Sequence, residues 1–328
     1  MINGLVLGKF MPFHNGHIGL INFAMSKCDH VTILLCHTEN EEIPGAVRFE
    51  WLKKLFAGDG RIVIVGYKYD ATILPNTSIS SQAVSEVWAN ILKQDFPFID
   101  VIFTSEDYGA FVAKFMNIRY EVFDRERITY SFSASEIRKE PFKNWDNMPE
   151  IVRPYFVKKI ALLGSESTGK SVLTERLATY FNTVFVPEMA REIVMHTTGC
   201  RPEHLKLIAK LHAETIRSTL PKANKLLFID TDVNITKSYS RFLFSQELKL
   251  DDWILDANKM DHYFFLETDC DFVQDGTRLD EQERCRLNES HKKLLADEGI
   301  NYIKINGNWN NRFYEMINFI EQKYFGGM

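Results

Sequence analysis

Cysteine is scarce and unpatterned. The five present, Cys28, Cys36, Cys200, Cys270 and Cys285, lie far apart with no C-x-x-C pair. That argues against a disulfide framework or a structural zinc site and fits reduced thiols in a cytoplasmic protein. Long hydrophobic runs are missing as well, and none approaches the roughly 20 apolar residues of a membrane span. Residues 1–10 carry no basic n-region, and Lys9 interrupts their apolar run, so they read as a strand and not as a signal peptide. Nor is there an excess of positive charge. Lys and Arg number 39 against 44 Asp and Glu, a net charge of −5, and both halves are mildly acidic. No basic footprint for nucleic acid or an anionic membrane is present. Repeats and low-complexity tracts are absent too. The remainder, 328 residues with 45% hydrophobic and 25% charged, suits two globular domains, each with its own core.

The most informative stretch is Gly164–Ser171, G-S-E-S-T-G-K-S. It matches the P-loop pattern G-x-x-x-x-G-K-[ST] at every fixed position. Its flanks match too: Lys158–Leu163 reads as a buried strand, and Val172–Phe181 carries Leu173, Leu177, Ala178 and Phe181 at helical spacing. In such a loop Gly164 and Gly169 permit a tight turn, and the backbone N–H groups of Ser165, Glu166, Ser167 and Thr168 converge on phosphate oxygens. Lys170 then reaches the outer phosphates of ATP, and the Ser171 hydroxyl is a ligand for Mg²⁺.

The first half begins with a short buried strand, Asn3–Gly8, that runs into K-F-M-P-F-H-N-G-H (Lys9–His17) and then a helical pattern over Ile18–Cys28. Two histidines flank a glycine between strand and helix. Gly16 allows close backbone approach, the helix N-terminus offers N–H groups to an anion, and His14 and His17 can donate to phosphate oxygens as charge builds in a transition state. Further strands are expected at Val31–Leu35, Ile62–Val65, Val101–Thr104 and Tyr120–Phe123. Helices are expected at Ala46–Phe56, Ser80–Asp95 (with Trp88) and Asp107–Met116. This alternation predicts a doubly wound, largely parallel Rossmann-like sheet that binds ligands at the strand C-termini. Later comes Ser133-Ala134-Ser135-Glu136-Ile137-Arg138. Ser133 and Glu136 form a capping-box pattern, and Ser135 and Arg138 share one helical face at an N-terminus.

Pro141–Tyr155 holds three prolines and two tryptophan or tyrosine rings with no βα period; it reads as an ordered connector. The domains expected are 1–155 and 156–328. In the second, Thr183–Val186 is a strand ending at P-E-M-A-R-E (Pro187–Glu192). Glu203–Leu220 is an amphipathic helix, and Leu226–Asp232 is a hydrophobic strand ending in acids, the Walker B form. Asp230 is placed to hold Mg²⁺ or to accept a proton from a substrate hydroxyl, and Asp232 to cap the next helix. After a strand at Tyr263–Leu266, the acidic stretch Glu267–Arg286, with Arg278, Arg284 and Arg286, reads as a lid or an exposed charged helix. Tyr302–Ile305 and Arg312–Tyr324 close the domain.

GKFMPFHNGH followed by SFSASEIR resembles the paired H-x-G-H and [ST]-x-[ST]-x-x-R signatures of the nucleotidyltransferase α/β phosphodiesterase superfamily. In that superfamily the histidines and the Ser/Arg pair clamp ATP while the substrate phosphate attacks its α-phosphorus. Together with VRFEWL, VIFTSED, the GSESTGKS loop, FNTVFVPEMARE, LLFIDTD and FVQDGTR, the chain resembles the NadR family from Met1 to about Tyr324. Those proteins are bifunctional nicotinamide-nucleotide adenylyltransferases and ribosylnicotinamide kinases; many carry an N-terminal helix-turn-helix, and since the sequence in hand opens on the first strand, a DNA-binding role is not expected of it.

The resemblance implies an enzyme of NAD biosynthesis by pyridine nucleotide salvage. Its small-molecule partners would be ATP, nicotinamide riboside, nicotinamide mononucleotide and NAD, with Mg²⁺ and without nucleic acid or membrane. Homo-oligomerisation stays open. For the transferase it implies His14 and His17 in catalysis, Lys9, Phe10, Gly16, Ser135 and Arg138 on ATP, and Trp88 on the substrate. For the kinase it implies Lys170, with Asp230 or Glu188 as base or ribose anchor, and Arg191 and Asp232 on the substrate. Arg278 would contact ATP, and Phe272 would stack on nicotinamide where relatives carry tryptophan. Two other readings share these motifs: a phosphopantetheine adenylyltransferase fused to a dephospho-coenzyme A kinase, and a nucleotide sensor without turnover.

Overall fold

A computed structural model of the chain describes residues 1–74, 81–194, 199–270 and 279–326, with the side chain of Arg191 outside the description. The chain divides into two compact units, Met1–Arg153 and Pro154–Met328.

The first unit is a five-stranded parallel sheet in the order β3-β2-β1-β4-β5. The strands are β1 (Asn3–Gly8), β2 (His30–His37), β3 (Ile62–Lys68), β4 (Val101–Thr104) and β5 (Arg119–Val122). Between and after them run α1 (Asn15–Met25), α2 (Gly45–Leu55), α3 (Gln82–Asp95), α4 (Tyr108–Met116) and α5 (Ala134–Lys139). The middle strands are apolar because both faces are covered: Leu5, Val6, Ile33, Leu34, Ile102 and Phe103 are completely buried. The chain winds outward from β1 through β2 to β3, then returns to pair β4 with the other side of β1. The crevice beyond the C-terminal ends of β1 and β4 is therefore a topological switch point, where α/β sheets take ligands.

α1 starts at Asn15, three residues before the position that apolar spacing predicts, with His14 as its extended N-cap residue. The expected capping box at α5 is formed: Ser133 N–H donates to Glu136 Oε2 at 2.7 Å, and Glu136 N–H to Ser133 Oγ at 3.2 Å. The connector carries a 3₁₀ turn at Trp145–Asn147 and buries Phe142, Trp145, Met148 and Val152.

The second unit holds another five-stranded parallel sheet, ordered β10-β9-β6-β8-β7. Its strands are β6 (Lys158–Leu163), β7 (Phe185–Val186), β8 (Leu226–Asp230), β9 (His262–Leu266) and β10 (Ile303–Ile305). The helices are α6 (Lys170–Tyr180), α7 (Ala190–Ile193), α8 (Pro202–Thr219), α9 (Val233–Phe244), α10 (Asp252–Ala257), α11 (Glu281–Asp297) and α12 (Trp309–Tyr324). β6 is central, and the P-loop leaves its C-terminal end. Of the stretch Glu267–Arg286, read as a lid or an exposed charged helix, residues 271–278 lie outside the described residues. From Glu281 onward the chain is helix α11, whose inner face holds Arg284, Leu287, Asn288, His291 and Leu295, all buried. Ser290 on the same helix reaches α9, its Oγ lying 3.1 Å from that of Ser238.

Candidate nucleotide sites

In the first unit a cavity of about 450 Å³ opens at the switch point. Lys9, Phe10, His14, Gly16, His17, Trp88, Ser135 and Arg138, all singled out from sequence, line it. The histidine rings stack at 3.7 Å with 21° between planes. His14 N–H donates to His17 Nδ1 at 3.3 Å. An acceptor at Nδ1 leaves the proton of a neutral ring on Nε2, so His17 presents an N–H donor. Burial holds both rings neutral: His14 falls from 6.5 to about 4, through desolvation and then Arg127, and His17 lies well below 6.5 through burial, His14 and Arg127. Gly16 faces the His14 ring, which a Cβ would approach to 3.1 Å.

Positive charge comes from elsewhere. Arg138 donates to the Met11 carbonyl and to Ser135 Oγ (3.3 Å) and pairs with Glu42 at 3.0 Å. Lys9 pairs with Glu41 at 2.7 Å, and Glu41 also meets Arg48, a fully buried side chain that donates to the Lys9 carbonyl. Arg127 and Glu41 were not found by sequence reasoning, and Arg48, inside the VRFEWL segment, was given no role in the site. Arg127 lines the cavity from a loop with positive φ, and no spacing rule marks it. Arg48 sits in a helical pattern where an arginine ordinarily reads as solvated.

In the second unit a cavity of about 1190 Å³ surrounds the P-loop. Gly164 and Gly169 have φ of 141° and 87°, and a Cβ on Gly164 would lie 2.6 Å from the Leu266 carbonyl oxygen, so glycine is required. Lys170 Nζ and Thr168 Oγ1 both donate to the Ser165 carbonyl at 2.9 Å. Arg312, only 2% exposed, clamps the loop from outside. It donates to the carbonyls of Thr168 (2.9 Å), Gly307 (2.8 Å) and Glu267 (3.0 Å) and pairs with Asp269. Glu166 accepts from the Tyr239 hydroxyl at 3.3 Å and from Leu279 N–H at 2.9 Å.

Of the residues expected here, Gly164, Glu166, Ser167, Thr168, Gly169, Lys170, Ser171 and Glu188 line the cavity. Ser165 and Asp230 are 1% exposed and lie behind it. Asp232, expected on the substrate, is not there: it is fully buried and caps α9, accepting from Asn234 N–H, Ile235 N–H and Asn234 Nδ2. Desolvation nevertheless pushes its carboxyl up to about 6. Phe272 and Arg278 fall outside the described residues, as does the side chain of Arg191. His212, Thr231 and Trp309 line the cavity without having been anticipated. Among the described residues no cluster of three or more His, Cys, Asp or Glu could hold a metal by protein ligands alone, and no helix is long and apolar enough to cross a membrane.

These two sites agree with what known proteins resemble the chain. Residues 159–312 match a family model described as an AAA domain. The trifunctional NAD biosynthesis/regulator protein NadR of Escherichia coli is 28% identical over 347 residues, 97% of this chain and 82% of that protein. A nicotinamide-nucleotide adenylyltransferase of Thermococcus onnurineus is 28% identical over 166 residues, covering 48% of this chain and 82% of its own. A crystal structure of NadR protein in complex with NR has a TM-score of 0.78 at 20% identity, covering 99% of this chain and 97% of its own. A second, in complex with NAD and AMP-PNP, has the same TM-score at 22% identity. With sequence similarity along nearly its whole length and the same fold in both units, the chain is a homologue of the NadR proteins.

Proposed function

We propose that the chain performs two ATP-dependent transfers in NAD salvage. The second unit phosphorylates the 5′-hydroxyl of nicotinamide riboside to the mononucleotide, and the first adenylylates that product to NAD with release of pyrophosphate. One observation carries the reading: two different phosphate-handling motifs, on two separate parallel sheets, each open into its own cavity, in a homologue of NadR.

The chemistry follows from the residue types. In the first cavity Lys9 and Arg138 hold the triphosphate, and His17 Nε2–H is aimed at oxygens that gain charge as the mononucleotide phosphate attacks. The rings donate without titrating, so catalysis there is positioning and charge stabilisation. Ser135 and Gly16 shape the same pocket, with Phe10 and Trp88 as apolar walls. In the second cavity, Lys170 exchanges its Ser165 carbonyl partner for the outer phosphates. Glu188, which lines the cavity where the buried Asp230 does not, is the better placed carboxylate for the riboside hydroxyl. Substrate roles for Phe272 and Arg191, and an ATP contact for Arg278, belong to the same reading through the family resemblance.

ATP-using enzymes of this kind generally need a divalent cation. The Ser171 hydroxyl and the Asp230 carboxylate would be the hard oxygen donors for Mg²⁺. Bound there, the ion would supply neutralisation of charge on the phosphates.

Product analysis tests this. Pure protein with ATP and Mg²⁺ should convert nicotinamide riboside to mononucleotide and NAD, and nicotinamide mononucleotide to NAD. Lys170→Ala should abolish only the first step and His17→Ala only the second. Loss of both steps in a folded single variant would refute two separate sites. No product from either substrate would refute the nicotinamide reading.

A further inference from the structure

The cavity of the second unit straddles the P-loop, and strand order separates its ends. β6 is the middle strand, with β8 and β7 on one side and β9 and β10 on the other. Towards β7 and β8 the lining includes Glu188, Met189, Leu205, Ile208 and Tyr239. Towards β9 and β10 it comes from Asp269, Cys270 and the Gly307–Trp309 turn with Arg312. Attacking and leaving oxygens approach a transferred phosphoryl group in line, from opposite sides. The two ends must therefore divide between the acceptor and the nucleoside of the donor. Glu188, suited to a sugar hydroxyl, assigns the β7/β8 end to the acceptor, and the donor's base falls to the end formed by β10 and α12.

A large apolar side chain lies open at that end, Trp309, at 47% exposure. The indole rests on the P-loop: a Cβ on Gly169 would lie 2.3 Å from it. Its position is fixed. Asn308 caps α12 by accepting from Asn310 N–H and Asn311 N–H, and Arg312, on the next turn, is tied to the Thr168, Gly307 and Glu267 carbonyls. A large ring held rigid and half exposed beside a phosphate loop offers a stacking face. Among the described residues at this end, three side-chain groups that could read the edge of a base are already engaged. The Asn308 side-chain oxygen is used in the cap, Asp269 accepts from Gly307 N–H and from Arg312, and Arg312 spends its donors on the three carbonyls and Asp269.

We infer that Trp309 stacks on the base of the phosphate donor and that this contact selects a flat ring without reading its hydrogen-bonding edge. The kinase site thus accepts purine nucleoside triphosphates with little discrimination among adenine, guanine and hypoxanthine. Buried polar groups built to pair with one base would reject another strongly, whereas every base has a stacking face. The inference rests on the kinase reading of this cavity.

The test is the mononucleotide-forming step of the full-length protein with ATP, GTP and ITP as donors, comparing wild type with Trp309→Phe, Trp309→Leu and Trp309→Ala. In the wild type, kcat/KM should agree among the three donors within about five-fold. Trp309→Ala and Trp309→Leu should raise donor KM about 10- to 100-fold, the range of base–aromatic stacking. The KM for riboside and the inhibition by tripolyphosphate, which has no base, should stay unchanged, and Trp309→Phe should retain most of the affinity. A wild-type preference for ATP over GTP above 100-fold overturns the inference. So does an unaltered donor KM in Trp309→Ala, or a loss of tripolyphosphate inhibition in step with the donor KM, which would mark Trp309 as a prop for the P-loop. Failure of the kinase reading itself is distinguishable. In that case riboside is not phosphorylated, yet a guanine nucleotide analogue still quenches the fluorescence that wild type has and Trp309→Phe lacks; absence of that quenching overturns the stacking as well.

Discussion

Arg312→Leu is the substitution whose consequence the structure defines most sharply. The leucine fills the space of the arginine stem but removes every donor. Three carbonyls lose their partner: Thr168 in the P-loop, Gly307 before α12 and Glu267 after β9. Asp269 loses its cation, though its side chain is 40% exposed and water can replace that pair. A stranded buried acceptor costs about 1–3 kcal/mol. The Thr168 bond is fully enclosed and the other two are partly so, which places the total at roughly 3–5 kcal/mol, the range for breaking a buried charged cluster. For a domain of this size each kcal/mol shifts Tm by about 2–4 °C, so scanning calorimetry of the full chain should find one transition lowered by about 6–20 °C. Kinase turnover measured well below that transition should fall as well, since Thr168 is held by the same guanidinium. Arg312→Lys, with a single ammonium, should lie between the two. A shift under 2 °C with normal kinase kinetics in Arg312→Leu would refute the idea that this side chain sets the loop.

The acid sensitivity of the kinase unit should depend measurably on His291. Burial, then Lys170, lowers its pKa from 6.5 to about 3. As pH falls below 6.5 the unfolded chain takes up a proton that the folded domain refuses. Stability is therefore lost from pH 6.5 downward, by about 2 kcal/mol at pH 5 at 1.36 kcal/mol per pH unit. Denaturant titrations at pH 7.5 and 5 should show His291→Leu losing about 2 kcal/mol less than wild type; equal losses would contradict this. Asp232→Ala removes the α9 cap and should cost about 1–2 kcal/mol in the same titration while leaving the KM for riboside unchanged. A selective rise in that KM would return Asp232 to the substrate site.

The fold was largely legible because its strands are buried on both faces. β1, β4 and β6 coincide with their predicted spans, and the βα rhythm gave two parallel sheets. What escaped detection lies where polar residues are buried. α9 encloses Asn234, Thr236, Ser238 and Ser240, and α11 encloses Arg284, Asn288 and His291. A hydrophobic period cannot report a helix face made of buried polar groups. α1 was started late because Asn15 and Gly16 are poor helix formers, and their place in the first turn depends on the cap at His14. The motif residues that gather around the two cavities were readable as motifs. Arg48, Arg127 and Arg312 were not, since an isolated arginine reads the same whether it faces solvent or three carbonyls.

The strand order of the second sheet has an evolutionary consequence. On the assignment of the cavity's ends made above, the residues facing the alcohol come from one continuous stretch of chain, Glu188–Leu243. Those facing the nucleoside triphosphate come from another, Asp269–Arg312, with the P-loop shared between them. Such a layout is modular. A change of acceptor could accumulate within the first stretch without touching the machinery that grips the nucleotide, so selection could redirect one gene segment towards a new sugar while phosphoryl donation is inherited intact.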